Sequence, residues 1–259
     1  MARCGGRCLP RKGERRGSVF RVASRAERSL PPPAPPAERT AGQLVGEAMR
    51  LYGRRLWIAL LLGVPPTLAG IVLAGAIESE TSRAAALVLV LAVGAPALSL
   101  SFVGASVLAA GRRPPFATLF VAFVAGVLVF LPVPFLATLL VLPALAWFAL
   151  FGLAVPAVVI ENIDLRRALI RAVELARADY VHALGSLAAV AIVVFVSAGV
   201  LQFLLVQFGD TTAGIAAYVA VLLLAPLLLL AAATLYFDQA ARAGPARKGL
   251  TTPRPRRRK

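Results

Sequence analysis

The sequence predicts an all-α, polytopic transmembrane helical bundle of about six spans with two amphipathic interfacial helices. Of the 259 residues, 59% are hydrophobic and only 15% are charged, whereas soluble domains carry about 25% charged residues. Apolar runs of about 20 residues, the length that crosses a bilayer as a helix, recur along the chain. Two shorter segments repeat apolar residues at helical spacing with charges between them, which is typical of helices at a membrane surface.

The apolar runs give six predicted spans. They cover residues 56–77, 84–110, 116–138, 140–160, 183–208 and 214–237. None of these ranges contains an ionisable residue, and such residues are the usual mark of coupled transport. Residues 116–160 are ambiguous, because they fit either two spans or a re-entrant pair of half-helices buried by protein. In the first case a turn falls near Pro132, Pro134 or Pro143.

The distribution of charge predicts the orientation. Cytoplasmic loops of membrane proteins carry an excess of Lys and Arg. On the six-span topology, 27 of the 28 Lys and Arg residues face the cytoplasm, and Arg83 is the exception. The N-terminus and the C-terminus are therefore both predicted to be cytoplasmic, with the protein in the inner or plasma membrane.

Two basic tails are predicted to be disordered. Residues 1–39 include a polyproline-type spacer, PPPAPPAE, and residues 243–259 follow the membrane domain, residues 40–242. The net charge of +16 is predicted to attract anionic lipid headgroups. A nucleic-acid partner is not predicted, because the tails lack interleaved aromatic residues for base stacking. Cys4 and Cys8 lie in the first tail and give no disulfide framework.

The first amphipathic segment, TAGQLVGEAMRLYGRRLW, precedes the first span. Thr40 and Gln43 fit a capping box, and Leu44, Ala48 and Leu51 share one helical face. This pattern predicts a short helix that lies at the membrane surface and leads into the first span.

The second amphipathic segment, residues 162–180, holds most of the charges between the spans. Its apolar residues recur at i, i+4, i+7, i+8, i+11 and i+15 from Leu165 to Tyr180, so one face is predicted to lie on the bundle or at the acyl boundary. Asn162 or Asp164 is predicted as its N-cap. Together with Glu161, which precedes it, the segment has four acids and four bases that cancel, which argues against a simple lipid anchor. The predicted cytoplasmic contact surface consists of Arg166, Arg167, Arg171, Glu174 and Arg177.

The sequence offers no pattern for catalysis, for a cofactor or for a metal. Such chemistry needs clustered His, Cys and carboxylates, and the chain has one histidine, His182, which is predicted to be an interfacial residue. Gln202 and Gln207 are predicted to bond to a neighbouring helix. We therefore predict that the protein is not an enzyme and binds no cofactor.

The stretch FGLAVPAVVIENIDLRRALIRAVELARADYVHALG resembles the glycerophosphoryl diester phosphodiesterase membrane-domain family, which are stand-alone bacterial multi-pass membrane proteins. The opening GQLVGEAMRLYGRRLW and the closing LYFDQAAR are similar too, so the resemblance covers about residues 40–242. It implies a bacterial membrane domain without the catalytic barrel, which in such phosphodiesterases is a separate soluble domain. The residues that carry it are Leu153, Pro156, Ala157, Val158, Val159, Glu161, Ala168, Leu169, Arg171, Ala172, Leu175 and Tyr180.

These observations predict a non-catalytic accessory or scaffold membrane domain that contacts lipid or partner proteins. The alternative is a small-molecule or lipid transporter, because helices broken by proline, as at Pro65 and Pro66, occur in transporters. A transporter predicts a polar cavity at mid-membrane depth, whereas a dry, filled bundle would count against it.

Overall fold

A computed structural model of the protein describes residues 40–78 and 82–243. Within these two ranges every regular element is a helix, so the all-α fold class is confirmed. The predicted tails lie outside the described residues, apart from Ala243. Six helical stretches are long and apolar enough to cross a membrane, which agrees with the predicted number of spans. They are Leu56–Ala76, Ala85–Ala110, Phe116–Thr138, Val141–Glu161, Tyr180–Val206 and Thr211–Arg242.

Eleven α-helices follow one another along the described chain, with a π-helical segment, Val90–Gly94, between the third and the fourth. They are α1 Ala41–Arg54, α2 Leu56–Glu78, α3 Arg83–Leu89, α4 Ala95–Ala110, α5 Phe116–Phe130, α6 Val133–Leu139, α7 Val141–Phe151, α8 Ala154–Glu161, α9 Leu165–Ala178, α10 Tyr180–Val206 and α11 Asp210–Arg242.

The ambiguous stretch, residues 116–160, folds as a hairpin with two broken arms. One arm is α5 and α6 and the other is α7 and α8, and α6 packs on α7 while α5 packs on α8. Each arm is as long as a full span, with 23 and 21 residues, which favours the two-span interpretation. The chain reverses at Leu140, whose backbone is extended. Pro143 lies in the first turn of α7, where its missing N–H costs no helical hydrogen bond.

Small residues allow the spans to approach one another closely. A Cβ atom added to Gly63 of α2 would collide with the backbone of Leu222 in α11. Likewise, Gly126 of α5 lies against Ser99 of α4, whose hydroxyl donates to the carbonyl of Phe123 at 2.6 Å. Between apolar helices in a bilayer, such close packing and inter-helix hydrogen bonds supply much of the association energy.

The first amphipathic helix, α1, forms as predicted. The Thr40 hydroxyl accepts from the backbone N–H of Gln43 at 3.3 Å, and the Gln43 side chain accepts from the backbone N–H of Thr40 at 3.0 Å, which completes the capping box. Leu44, Ala48 and Leu51 are buried. Their face packs on α10 and α11, so α1 covers one end of the bundle.

The second amphipathic helix, α9, also packs on the bundle. Its buried residues are Ala168, Ala172, Leu175 and Ala176, and they contact α5, α7, α8 and α11. Of the two predicted environments for the apolar face, the bundle interior is therefore the one observed.

Of the two predicted N-caps of α9, the structure supports Asp164. Asn162 is the C-cap of α8, with left-handed φ and ψ of 55° and 49°, a conformation that Asn adopts more readily than most residues. Asp164 occupies the N-cap position, but its carboxylate lies 3.7 Å from Arg167 and makes no cap hydrogen bond.

The last helix, α11, is longer than predicted. Its 33 residues span about 50 Å at 1.5 Å per residue, more than the ~30 Å hydrocarbon core of a bilayer. The prediction ended the span at Phe237, where charged residues begin. The helix continues because Asp238 and Arg242 pair with each other at i and i+4. Ionisable residues thereby enter the bundle, contrary to the expectation that the spans contain none.

Candidate functional site

Polar side chains of α11 meet those of α8, α9 and α10 at one end of the bundle, which we call the charged end. Tyr236, Asp238 and Gln239 of α11 are buried there, and Asp238 and Gln239 are inaccessible to solvent. A buried polar group is costly unless it is hydrogen-bonded, so the partners of these side chains determine what holds this end together.

The first group of partners is the Glu161 cluster, formed by Glu161, Arg171, Glu174 and Tyr236. The Glu161 carboxylate accepts from the Tyr236 hydroxyl at 2.6 Å and from Nε of Arg171 at 2.9 Å. A second nitrogen of Arg171 donates to Glu174 at 3.4 Å. Three helices, α8, α9 and α11, are therefore joined at one carboxylate.

Arg171 is held as a permanent cation in this cluster. Burial lowers the pKa of its guanidinium, but the hydrogen bond and the charge of Glu161 outweigh burial, so that the pKa is raised from its ordinary value. The side chain is only 20% exposed. Arg171 thus binds within the fold and is less exposed than the other four residues of the predicted contact surface, which stays a prediction.

The second group is the Asp238 cluster, formed by Asp179, His182, Asp238 and Arg242. The Asp238 carboxylate lies 3.0 Å from Nε2 of His182 and 3.1 Å from Nε of Arg242. Arg242 also donates to Asp179 at 3.0 Å. Since Asp238 is inaccessible to solvent, the guanidinium of Arg242 and the imidazole of His182 replace the water that would otherwise stabilise its charge.

His182 has competing partners at a single ring nitrogen. Its Nε2 atom lies 3.0 Å from Asp238, 3.2 Å from Nη2 of Arg242 and 3.3 Å from the Ser186 hydroxyl. A protonated Nε2 donates to Asp238, whereas an unprotonated Nε2 accepts from Arg242. The proton on this atom therefore decides which partner His182 binds. The side chain is half-buried, and its place at a membrane interface stays a prediction.

The arrangement of Ser186, His182 and Asp238 differs from that of a catalytic triad. In a triad the serine and the carboxylate bind opposite nitrogens of the imidazole, so that a proton passes across the ring. Here both contact Nε2. Within residues 40–78 and 82–243, no group of three or more His, Cys, Asp or Glu side chains is arranged to hold a metal ion.

Gln239 lies next to the Asp238 cluster. Its amide nitrogen donates to the backbone carbonyl of Asp179 at 3.4 Å, and its oxygen has no hydrogen-bond partner in the described part of the chain. Sequence reasoning missed both Asp238 and Gln239, because the predicted span ended at Phe237. The available signal was the spacing of Asp238 and Arg242, which places them on one helical face.

The remaining charges of α9 face outward. The α9 outer surface consists of Asp164, Arg166, Arg167, Glu174 and Arg177, which are all exposed. Arg167 and Asp164 form a pair at 3.7 Å with side chains 76% and 79% exposed, so this pair contributes at most about 1 kcal/mol to stability. Four of the five predicted contact residues thus share this surface, and Arg171 lies beneath it.

The residues that carry the family resemblance pack beneath these clusters. Pro156, Ala157, Val158 and Val159 of α8 are buried, as are Ala168, Ala172 and Leu175 of α9. They form the contact between α8 and α9 that brings Glu161 to Arg171.

Apolar cavities lie away from the charged end. One of about 270 Å³ is lined only by Leu, Val, Ala and Phe. Two others of about 290 Å³ and 500 Å³ adjoin it and share lining residues with it. The polar cavity expected of a small-molecule transporter is not among these three, and the bundle is not completely filled.

Gln202 and Gln207 differ in their surroundings. Gln202 lines the cavity of about 500 Å³. Gln207 donates to the carbonyl of Leu204 in its own helix at 3.0 Å, rather than to a neighbouring helix as predicted.

No protein-family model, no curated protein and no solved structure matches this chain.

Proposed function

We propose that this protein is a non-catalytic accessory membrane protein that presents the α9 outer surface to a partner protein. The observation that carries the proposal is the Glu161 cluster, which ties α9 to α8 and α11 while Arg166, Arg167 and Arg177 stay exposed. A surface that is ordered before binding loses little conformational entropy when a partner docks.

The charge of the surface indicates the class of partner. Three guanidinium groups stand beside the carboxylates of Asp164 and Glu174. Arginine is enriched in the cores of protein interfaces and binds carboxylates in a bidentate manner. The partner is therefore a protein with an acidic patch, placed at the membrane surface.

The charge pattern of the sequence indicates how the protein is oriented in its membrane. The charged end faces the cytoplasm of a bacterial cell on this proposal, with both termini on that side of the inner or plasma membrane. The positive-inside rule supports this orientation, and the resemblance to phosphodiesterase membrane domains supports an accessory role. The basic tails contact anionic lipid headgroups.

Cross-linking in the native membrane tests the proposal. A photo-reactive side chain placed at Arg166 should give a defined cross-linked product, and Arg167→Glu with Arg177→Glu should abolish that product because both remove cations from the surface. The matched control is Arg54→Glu in α1, which makes the same change at an exposed position of another helix. A product that survives the α9 variants, or disappears in the control, would contradict the proposal.

Lipid transport is the second candidate function. The apolar cavities favour a hydrocarbon chain over a polar solute, so among transported molecules they favour lipids. Vesicles that contain the full chain and a fluorescent phospholipid should then move that lipid between leaflets faster than protein-free vesicles. Equal rates, measured by quenching the outer leaflet, would remove this candidate and leave the accessory role untouched.

A further inference from the structure

The cavity of about 270 Å³ lies between the two arms of the hairpin and the last two spans. Its walls come from α4, α5, α6 and α7 on one side and from α10 and α11 on the other. Two of its lining residues, Val141 and Phe195, are 52% and 64% exposed. Both belong to helical stretches that are apolar enough to cross a membrane, so the cavity opens sideways toward the region that lipid occupies.

An aromatic cluster closes the cavity toward the charged end. The rings of Phe102, Phe130 and Phe148 lie 5.5 to 5.9 Å apart, centre to centre, and Phe130 and Phe148 line the cavity. Along α10, the 13 residues from His182 to Phe195 correspond to about 20 Å. The cavity is thus separate from the polar clusters and has no polar side chain in its lining.

The two neighbouring cavities extend this apolar space. That of about 290 Å³ shares Leu98, Phe130 and Val133 with the first, and that of about 500 Å³ shares Phe195, Ala225 and Leu228. Among the residues that line the three, Gln202 is the one with a polar side chain. An elongated apolar molecule therefore fits better than a compact polar one.

We propose that this cavity binds one hydrocarbon chain of a membrane phospholipid, a role that does not depend on the proposed partner at α9. The apolar lining selects an apolar occupant, because a polar group would lose its hydrogen bonds there. The exposed lining residues Val141 and Phe195 lie in stretches that are apolar enough to cross a membrane, where lipid chains surround the protein. An alkyl chain also restores the dispersion contacts that an empty cavity forfeits.

Photo-labelling from within the membrane tests the proposal. The full chain is placed in phosphatidylcholine vesicles that contain phosphatidylcholine with a diazirine at the end of one acyl chain. After irradiation, we expect cross-links at Val141, Phe195 and Ala225 well above those at Leu142 and Val196. The last two are 67% and 60% exposed but do not line the cavity, so they report ordinary contact with bulk lipid.

Cavity-filling variants make the test specific. Ala144→Phe in α7 and Ala225→Phe in α11 each add a ring to the lining, and each should lower the cross-links in the cavity at least about fivefold, because a close-packed interior leaves no room for a chain. The control is Leu142→Phe on the exposed side of α7, which should leave the cross-links unchanged. Gel filtration and circular dichroism establish that each variant is folded. Ala225 is only partly buried, so its variant decides the matter should Ala144→Phe fail to fold.

Three results would overturn the proposal. The first is labelling spread evenly over all exposed apolar positions and insensitive to both filling variants. The second is cross-linking to a second copy of the protein, in place of lipid, by a photo-reactive side chain placed at Phe195, which would assign the opening to an interface. The third is labelling by a diazirine fatty acid without labelling by the phospholipid, which would assign the cavity to a free fatty acid.

Discussion

At the scale of single residues, the charged end depends on two carboxylates that each bind side chains from more than one helix. Glu161 accepts from Arg171 and Tyr236, and Asp238 lies between His182 and Arg242. Removing one partner of a buried ion pair is costly because the other charge stays behind without water. The same logic separates Asp238, which is inaccessible to solvent, from the exposed pair of Asp164 and Arg167.

Asp238→Ala should therefore destabilise the protein by about 3–5 kcal/mol, because it leaves His182 and Arg242 without their shared carboxylate. Thermal unfolding in detergent, followed by circular dichroism, measures the shift in Tm. The control, Asp164→Ala, removes a carboxylate that is 79% exposed and should cost at most about 1 kcal/mol. Equal shifts of Tm in the two variants would show that the buried ion pairs of Asp238 contribute no more to stability than the exposed pair of Asp164.

At the scale of elements, the spans are packed through glycine and other small residues as well as through the polar clusters. Gly63 gives α2 its close approach to α11, where the backbone of Leu222 lies against it. Gly75 in the same helix faces open space. The two glycines thus lie in the same helix but have opposite tolerances for a side chain.

Gly63→Ala should lower the stability by about 1–3 kcal/mol, because the added methyl group forces α2 and α11 apart. Gly75→Ala should instead be neutral or stabilising by up to about 1 kcal/mol, as expected where only the flexibility of glycine is lost. The free energy of unfolding of both variants, measured under the same conditions, checks these two expected changes. A Gly63→Ala protein as stable as Gly75→Ala would contradict the close contact of α2 and α11.

The elements also show where sequence reasoning succeeds. Apolar length predicts the six spans, and helical spacing predicts α1 and α9, because both signals are local. The prediction misses the end of α11, since charge normally marks the end of a span and His182, one of the two partners of Asp238, is distant in sequence. Arg171 was assigned to the surface for the same reason, as its partner Glu161 lies in another helix. The cavities leave no local pattern at all.

At the scale of the whole molecule, four predicted spans separate α1 from α9 in the chain, so both surface helices are predicted to lie on one side of the membrane. On this six-span prediction, Ser82 lies on the opposite side of the membrane from residues 111–115 between α4 and α5. The charge pattern assigns the first of these loops to the outside and the second to the cytoplasm.

Cysteine labelling in intact cells checks this topology. Cys4 and Cys8 are first replaced by Ser, and single cysteines are then placed at Ser82 and Arg113, which are both exposed. A membrane-impermeant maleimide should label Ser82→Cys in intact cells and Arg113→Cys only after permeabilisation. Labelling of both in intact cells, or of Arg113→Cys alone, would reject the predicted orientation.

The central claim is that α9 is an ordered part of the bundle, held by Glu161 and Tyr236, so that its outer surface is ready for a partner. Hydrogen–deuterium exchange of the protein in lipid nanodiscs tests it most directly. The backbone amides of α9 should exchange slowly in the natural protein and faster in Tyr236→Phe, which loses one hydrogen bond to Glu161, while α4 keeps its protection. Rapid exchange throughout α9 in the natural protein, with no further change in Tyr236→Phe, would contradict the account.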